Sequence, residues 1–188
     1  MLHRCCAETE SRDILKPIVK KKRKEPLELT LFKFAEMHYR AGGILLQKVT
    51  KDPDSTFPAT VLVSFGFELY LKCLIAIEGK KPPRIHDLRD LFFQLSKESQ
   101  VEIRRAYKER AKTDPFFKRM KQFYEEKGFP VDHSFDSVLK SCASAFVHFR
   151  YLWEYEGGGK WHASALLECV RQRITKLRPE GAPARHLP

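Results

Sequence analysis

Nothing in this chain is spaced like a metal site or a disulfide framework. Its five cysteines, Cys5, Cys6, Cys73, Cys142 and Cys169, are odd in number and form no CxxC or Cys/His ligand pattern, which argues against zinc and against paired thiols. The N-terminal stretch MLHRCCAETESRD lacks an apolar h-region, so no secretory signal is read there. The longest hydrophobic window, ATVLVSFGFELYLKCLIAI, is interrupted by Glu68 and Lys72 and suits a central helix better than a membrane span. Strand-type alternation and internal repeats are missing as well. A cytoplasmic protein with reduced thiols, no membrane partner, no cofactor and no metal is the expectation.

What the chain does have is positive charge. Its 188 residues carry a formal charge of +11, but the excess sits at the ends. Residues 1–24 hold eight Lys/Arg against three acids, and residues 171–188 hold five against one. The body, residues 25–170, is nearly balanced, with 22 basic and 20 acidic groups. Residues 1–26 and 179–188 are therefore read as basic disordered tails, unable to bury enough surface to offset their ordering entropy. Lys20–Lys24 is either a targeting run or a solvated tail. Within the body, residues 104–121 gather eight basic side chains against Glu109 and Asp114. Arg104, Arg105 and Lys108 make that segment a phosphate-binding candidate, with a solvated helix surface as the alternative.

Helical periodicity runs through residues 27–178. Leu27, Leu31, Phe34, Ala35, His38, Ala41, Leu45 and Val49 recur at three- and four-residue spacing. Gly42 and Gly43 interrupt them, as a weak point or as a place where a neighbouring helix comes close. A second helix over about residues 58–78 is apolar nearly all round and should be the most buried. Gly79 and two prolines stop it. A short helix from HDLRDLFFQLS follows, then one or two amphipathic helices over 99–127 broken near Pro115, one helix through FDSVLKSCASAFVHFRYLWEYE, a flexible GGG, and a last helix through KWHASALLECVRQRITKL. The expected architecture is all-α, a compact antiparallel bundle of about five to six helices.

Two of these helices carry a charged pair at i, i+4, Glu68 with Lys72 and Arg150 with Glu154, each pair on one face among large apolar residues. One explanation is a buried polar network that fixes helix register, with Arg150 bridging Glu154 and reaching Glu68. The other is an active site. Asp87 suits a helix N-terminus, which leaves His86 at the loop edge with its imidazole near solvent.

Taken in order, SFGFELYLKCLIAIEGK, HDLRDLFFQL and AFVHFRYLWE resemble the HEPN family (higher eukaryotes and prokaryotes nucleotide-binding domain) over about Leu27 to Leu177, through their E-L-x-L-K, H-D-L and R-Y-x-x-E elements. The resemblance implies a helical bundle, commonly a homodimer, of the kind found in bacterial defence and toxin–antitoxin modules with a cognate partner protein. Many members are metal-independent endoribonucleases whose motif is Arg, four to six residues, then His. This chain departs from that motif, because the first histidine after Arg150 is His162.

Activity would then pair Arg150 with a histidine from another helix, His86 being the candidate. Neutral His86 would take the 2′-hydroxyl proton and Arg150 would steady the pentacoordinate phosphate. Glu154 would orient Arg150, and Tyr151 would stack a base or donate a hydrogen bond. Glu68, Lys72 and Asp87 complete the candidate binding set. Three functions fit: an RNA-directed HEPN protein, a catalytically silent HEPN module for a ligand or protein partner, and a helical adaptor that binds through its basic tails.

Overall fold

The computed structural model describes residues 25–126, 128, 132–151 and 163–178, and among them every regular element is a helix. Residues 1–24 and 179–188 of the expected tails and the GGG segment lie outside the described residues, while Glu25 and Pro26 lead directly into the first helix. Helix α1 (Leu27–Leu46) leads through a 3-10 turn, Pro53–Ser55, into α2 (Thr56–Ile77). The two run antiparallel at very short range. A Cβ added at Gly42 would stand 2.5 Å from Val63 Cγ2 and 2.9 Å from the Ala59 carbonyl oxygen, while one at Gly66 would stand 3.2 Å from the Ala35 carbonyl oxygen and the Tyr39 nitrogen. Of the two meanings open for Gly42 in the sequence, close approach is the one realised. Helix α1 runs unbroken through it, and Gly43 faces open space.

The two glycines should therefore respond oppositely to alanine. At Gly43 the change gains helix propensity and meets nothing, so stability should rise by up to about 1 kcal/mol. At Gly42 the same gain is outweighed by a clash with backbone, and a net loss of about 1–2 kcal/mol is expected. Urea midpoints of the two variants, at an unchanged denaturant slope, check the pair; equal shifts would contradict the close packing.

Helix α2 is the axis of the molecule, with Phe67, Leu71 and Leu74 fully buried. Against it pack α3 (Leu88–Phe93), α7 (Ala145–Arg150) and α8 (Ser164–Leu177); α4 (Lys97–Thr113) packs on α8, α6 (Phe135–Ser141) on α3, α4 and α8, and α5 (Pro115–Glu126) on α4. Leu88, Leu91 and Phe92 of α3, Ile103 of α4, Leu139 of α6 and Leu166, Leu167 and Val170 of α8 close one core. Pro115 occupies the first position of α5, where its missing N–H costs nothing. Asp87, Ser96 and Ser134 cap α3, α4 and α6 by accepting the amides of Asp90, Ser99 and Ser137.

The sequence reading fails at one boundary, where the single helix expected from Phe135 onward is split by a turn at Cys142–Ser144 into α6 and α7. No glycine or proline marks the break. The Ala143 carbonyl accepts instead from the Leu88 amide at 2.7 Å, so a tertiary hydrogen bond at the start of α3 holds the turn. Among the described residues eight α-helices form the expected all-α bundle.

Candidate functional site

Glu68 sits on α2 with its carboxylate 1% exposed, and a buried charge of this kind has to be matched. Lys72, one turn on, donates to Oε1 at 2.7 Å. From the loop ahead of α3, His86 brings Nδ1 to 3.0 Å from both carboxylate oxygens. An ionised carboxylate only accepts, so Nδ1 carries a proton, and in the neutral ring the lone pair is then on Nε2. The His86 side chain is 52% exposed, so a buried acid orients an imidazole that reaches solvent. A carboxylate holding one ring nitrogen and thereby preparing the other is the arrangement a general base needs.

Arg150 and Tyr151 end α7 on the same side of the molecule. The Arg150 guanidinium lies 5.1 Å from the Phe146 ring centroid, and the His86 ring lies 5.7 Å from the same centroid. Arg150 also stacks over Tyr151 at 4.5 Å and donates to its hydroxyl at 2.6 Å. The structure thus brings the two candidate catalytic residues against one aromatic ring. It does not make the expected bridge from Arg150 to Glu68, whose partners are Lys72 and His86. That correction has a geometric cause: Arg150 is held outward, exposed, by the rings of Phe146 and Tyr151, while Glu68 is sealed inside by its own two cations. Glu154 lies outside the described residues. Among those described, no carboxylate stands within ion-pair distance of Arg150.

Two further side chains belong to this face and were not anticipated. Phe65, three residues before Glu68 on α2, stacks on Phe146 at 4.7 Å and 25°. His38 of α1 meets Phe65 edge-on at 4.7 Å, and its Nδ1 lies 2.7 Å from the Phe34 carbonyl oxygen. The only signal for Phe65 and Phe146 was their helical spacing from Glu68 and Arg150. His38 had counted merely as one position of an apolar stripe.

Asp87 is engaged as the cap of α3 rather than turned toward a ligand. Most of the basic segment is likewise engaged. Arg104 forms a two-pronged pair with Asp136 and covers Phe135 at 4.3 Å, Arg105 pairs with Glu102, Arg110 with Asp114, Lys112 with Glu109 and Lys121 with Glu125. Lys108 is exposed. No hydrogen bond, ion pair or ring contact links Arg104, Arg105 or Lys108 to the His86 group. Free Cys73 and Cys142 have thiols pushed up to about 12 by burial, which suits packing rather than nucleophilic chemistry. Among the described residues no group of three or more His, Cys, Asp or Glu is placed to hold a metal ion.

A second charged cluster lies between α1, α2 and α8. Glu36, buried, takes two bonds from Arg171, at 2.5 and 3.4 Å, and one from the Tyr70 hydroxyl at 2.7 Å. Burial by itself would raise its pKa; the bonds from Arg171 and Tyr70 and the charges of Arg171 and Arg40 outweigh that and hold it below the usual carboxylate range. Burial and the Glu36 bond push the Tyr70 hydroxyl upward. Every member is partnered inside the bundle, so this cluster reads as architecture.

Comparison with family models, with curated proteins and with solved structures gave no match.

Proposed function

We propose that this protein is an RNA-directed module of HEPN type whose site is built from His86, Arg150, Glu68 and Lys72, and that it cleaves RNA without a metal. The observation that carries the proposal is the meeting of His86 and Arg150 on the Phe146 ring, with Glu68 holding His86 by Nδ1. In the step envisaged, His86 Nε2 takes the 2′-hydroxyl proton, and the freed oxygen attacks the adjacent phosphorus. The 5′-oxygen leaves with a proton from water, a 2′,3′-cyclic phosphate remains, and His86 returns its proton to solvent. Arg150 neutralises charge gathering on the phosphoryl oxygens. Both residues come from one chain, so the step does not require a second subunit.

Labelled transfer and messenger RNA incubated with the full chain, in chelator, test the proposal beside His86→Ala and Arg150→Ala of verified fold. Each substitution should lower cleavage about a hundredfold or more. Arg150 is exposed, so its loss should leave stability almost unchanged. A catalytically silent binding module is the second reading, favoured by the complete burial of Glu68, which a register-fixing network shares. Intact RNA in every lane, at protein concentrations where binding is saturated, would select that reading.

A further inference from the structure

His38 carries a second imidazole prepared in the same way as the first. The Phe34 carbonyl can only accept, so His38 Nδ1 is the donor and Nε2 is left for an outside partner. Between His38 and His86 runs a slab of two stacked rings, Phe65 and Phe146, with successive ring-to-ring steps of 4.7, 4.7 and 5.7 Å. Among the described residues, His38 has no ring neighbour other than Phe65, and His86 none other than Phe146. The two imidazoles therefore stand at opposite ends of the slab. Arg150 lies over the His86 end alone.

We infer that the site takes a single-stranded RNA oligonucleotide across this slab, one phosphate at His86 and Arg150 and a neighbouring phosphate at His38. The inference rests on the proposed RNA-directed function and adds the size of its ligand. When its ring is protonated, His38 donates Nε2–H to the outer phosphate, while the half-buried Phe65 ring of the slab faces the nucleoside between the two phosphates. A mononucleotide, with one phosphate, occupies only the His86 end.

The test is binding of uridine monophosphate and of a non-cleavable 2′-O-methyl uridine trinucleotide to the full chain, with His38→Ala, His38→Gln and His86→Ala, each checked for helical content. Both His38 variants should weaken the trinucleotide about tenfold and leave the monophosphate unchanged, whereas His86→Ala should weaken both. The two His38 substitutions guard against a folding artefact, since glutamine keeps the side chain polar and of similar reach. Unchanged trinucleotide affinity in both His38 variants, or equal losses for the two ligands, would overturn the two-phosphate site while leaving the His86 reading intact. Indifference of both ligands to His86→Ala would remove that underlying reading, and this extension with it.

Discussion

Glu36→Ala should cost about 3–5 kcal/mol, among the largest losses any single polar substitution in this bundle can produce. The carboxylate removed is buried at the junction of three helices, and its loss leaves the Tyr70 hydroxyl and one face of the Arg171 guanidinium without their acceptor. The Glu36→Gln variant separates charge from shape. Because the folded-state pKa of Glu36 lies below its ordinary value of 4.5, its ionisation stabilises the fold in full above that value, and this contribution fades as pH falls toward the lower, folded value. The stability gap between wild type and Glu36→Gln should accordingly narrow below about pH 4.5. Urea titrations at neutral pH and at successively lower values would show it. A gap that is constant with pH, or a loss under about 1 kcal/mol for Glu36→Ala, would mean that Arg171 finds other partners and that the cluster contributes little.

Glu68→Ala should lose about 3 kcal/mol, because Lys72, with only 13% of its side chain exposed, would be left as a nearly buried unpaired cation. Half-exposed His86 adds less, since water takes over part of what the carboxylate supplied. A combined Glu68→Leu, Lys72→Met variant should recover most of that stability, as apolar pairs of similar volume commonly do. The two explanations of this network then come apart. If it serves only to fix helix register, the apolar variant behaves like wild type toward RNA. If Glu68 holds His86 in its working tautomer, the apolar variant is stable and cleaves RNA at least tenfold more slowly, as expected where a hydrogen-bonded orienting group is lost.

These clusters also show how far one chain of letters discloses a fold. Helix α2 was legible because an almost unbroken apolar run of that length has nowhere to go but the centre, and α3 because Asp87 announces its own capping bond. The partition of α6 from α7 was not legible, since what fixes it is a carbonyl accepting from an amide 55 positions earlier in the sequence, Ala143 to Leu88, and nothing local encodes that. Charge pairing divided the same way. Glu68 with Lys72 followed from helical spacing, while the assignment of Arg150 to Glu68 was wrong because side-chain direction, not spacing, decides which cation enters the core. His86 was singled out as the residue that capping left unexplained, and its acceptor proved to be that same Glu68. His38 was read only as a stripe position and Phe65 was not singled out, because an imidazole and a phenyl ring in an apolar stripe look like core until a second helix is laid beside them.

The pairing of Glu36 with Arg171 spans 135 residues and has a consequence for how the protein is made. During synthesis α1 and α2 are made long before α8, so a hairpin of the two formed at that stage holds a carboxylate in an apolar setting without its main cation. Glu36 is then stabilised only by Arg40 and Tyr70, and the faces that α8 covers stay bare. A chain truncated before α8 should therefore be cut by a nonspecific protease faster than the full chain. Arrival of one helix, carrying Leu166, Leu167 and Val170 together with Arg171, ends that vulnerability in a single docking event.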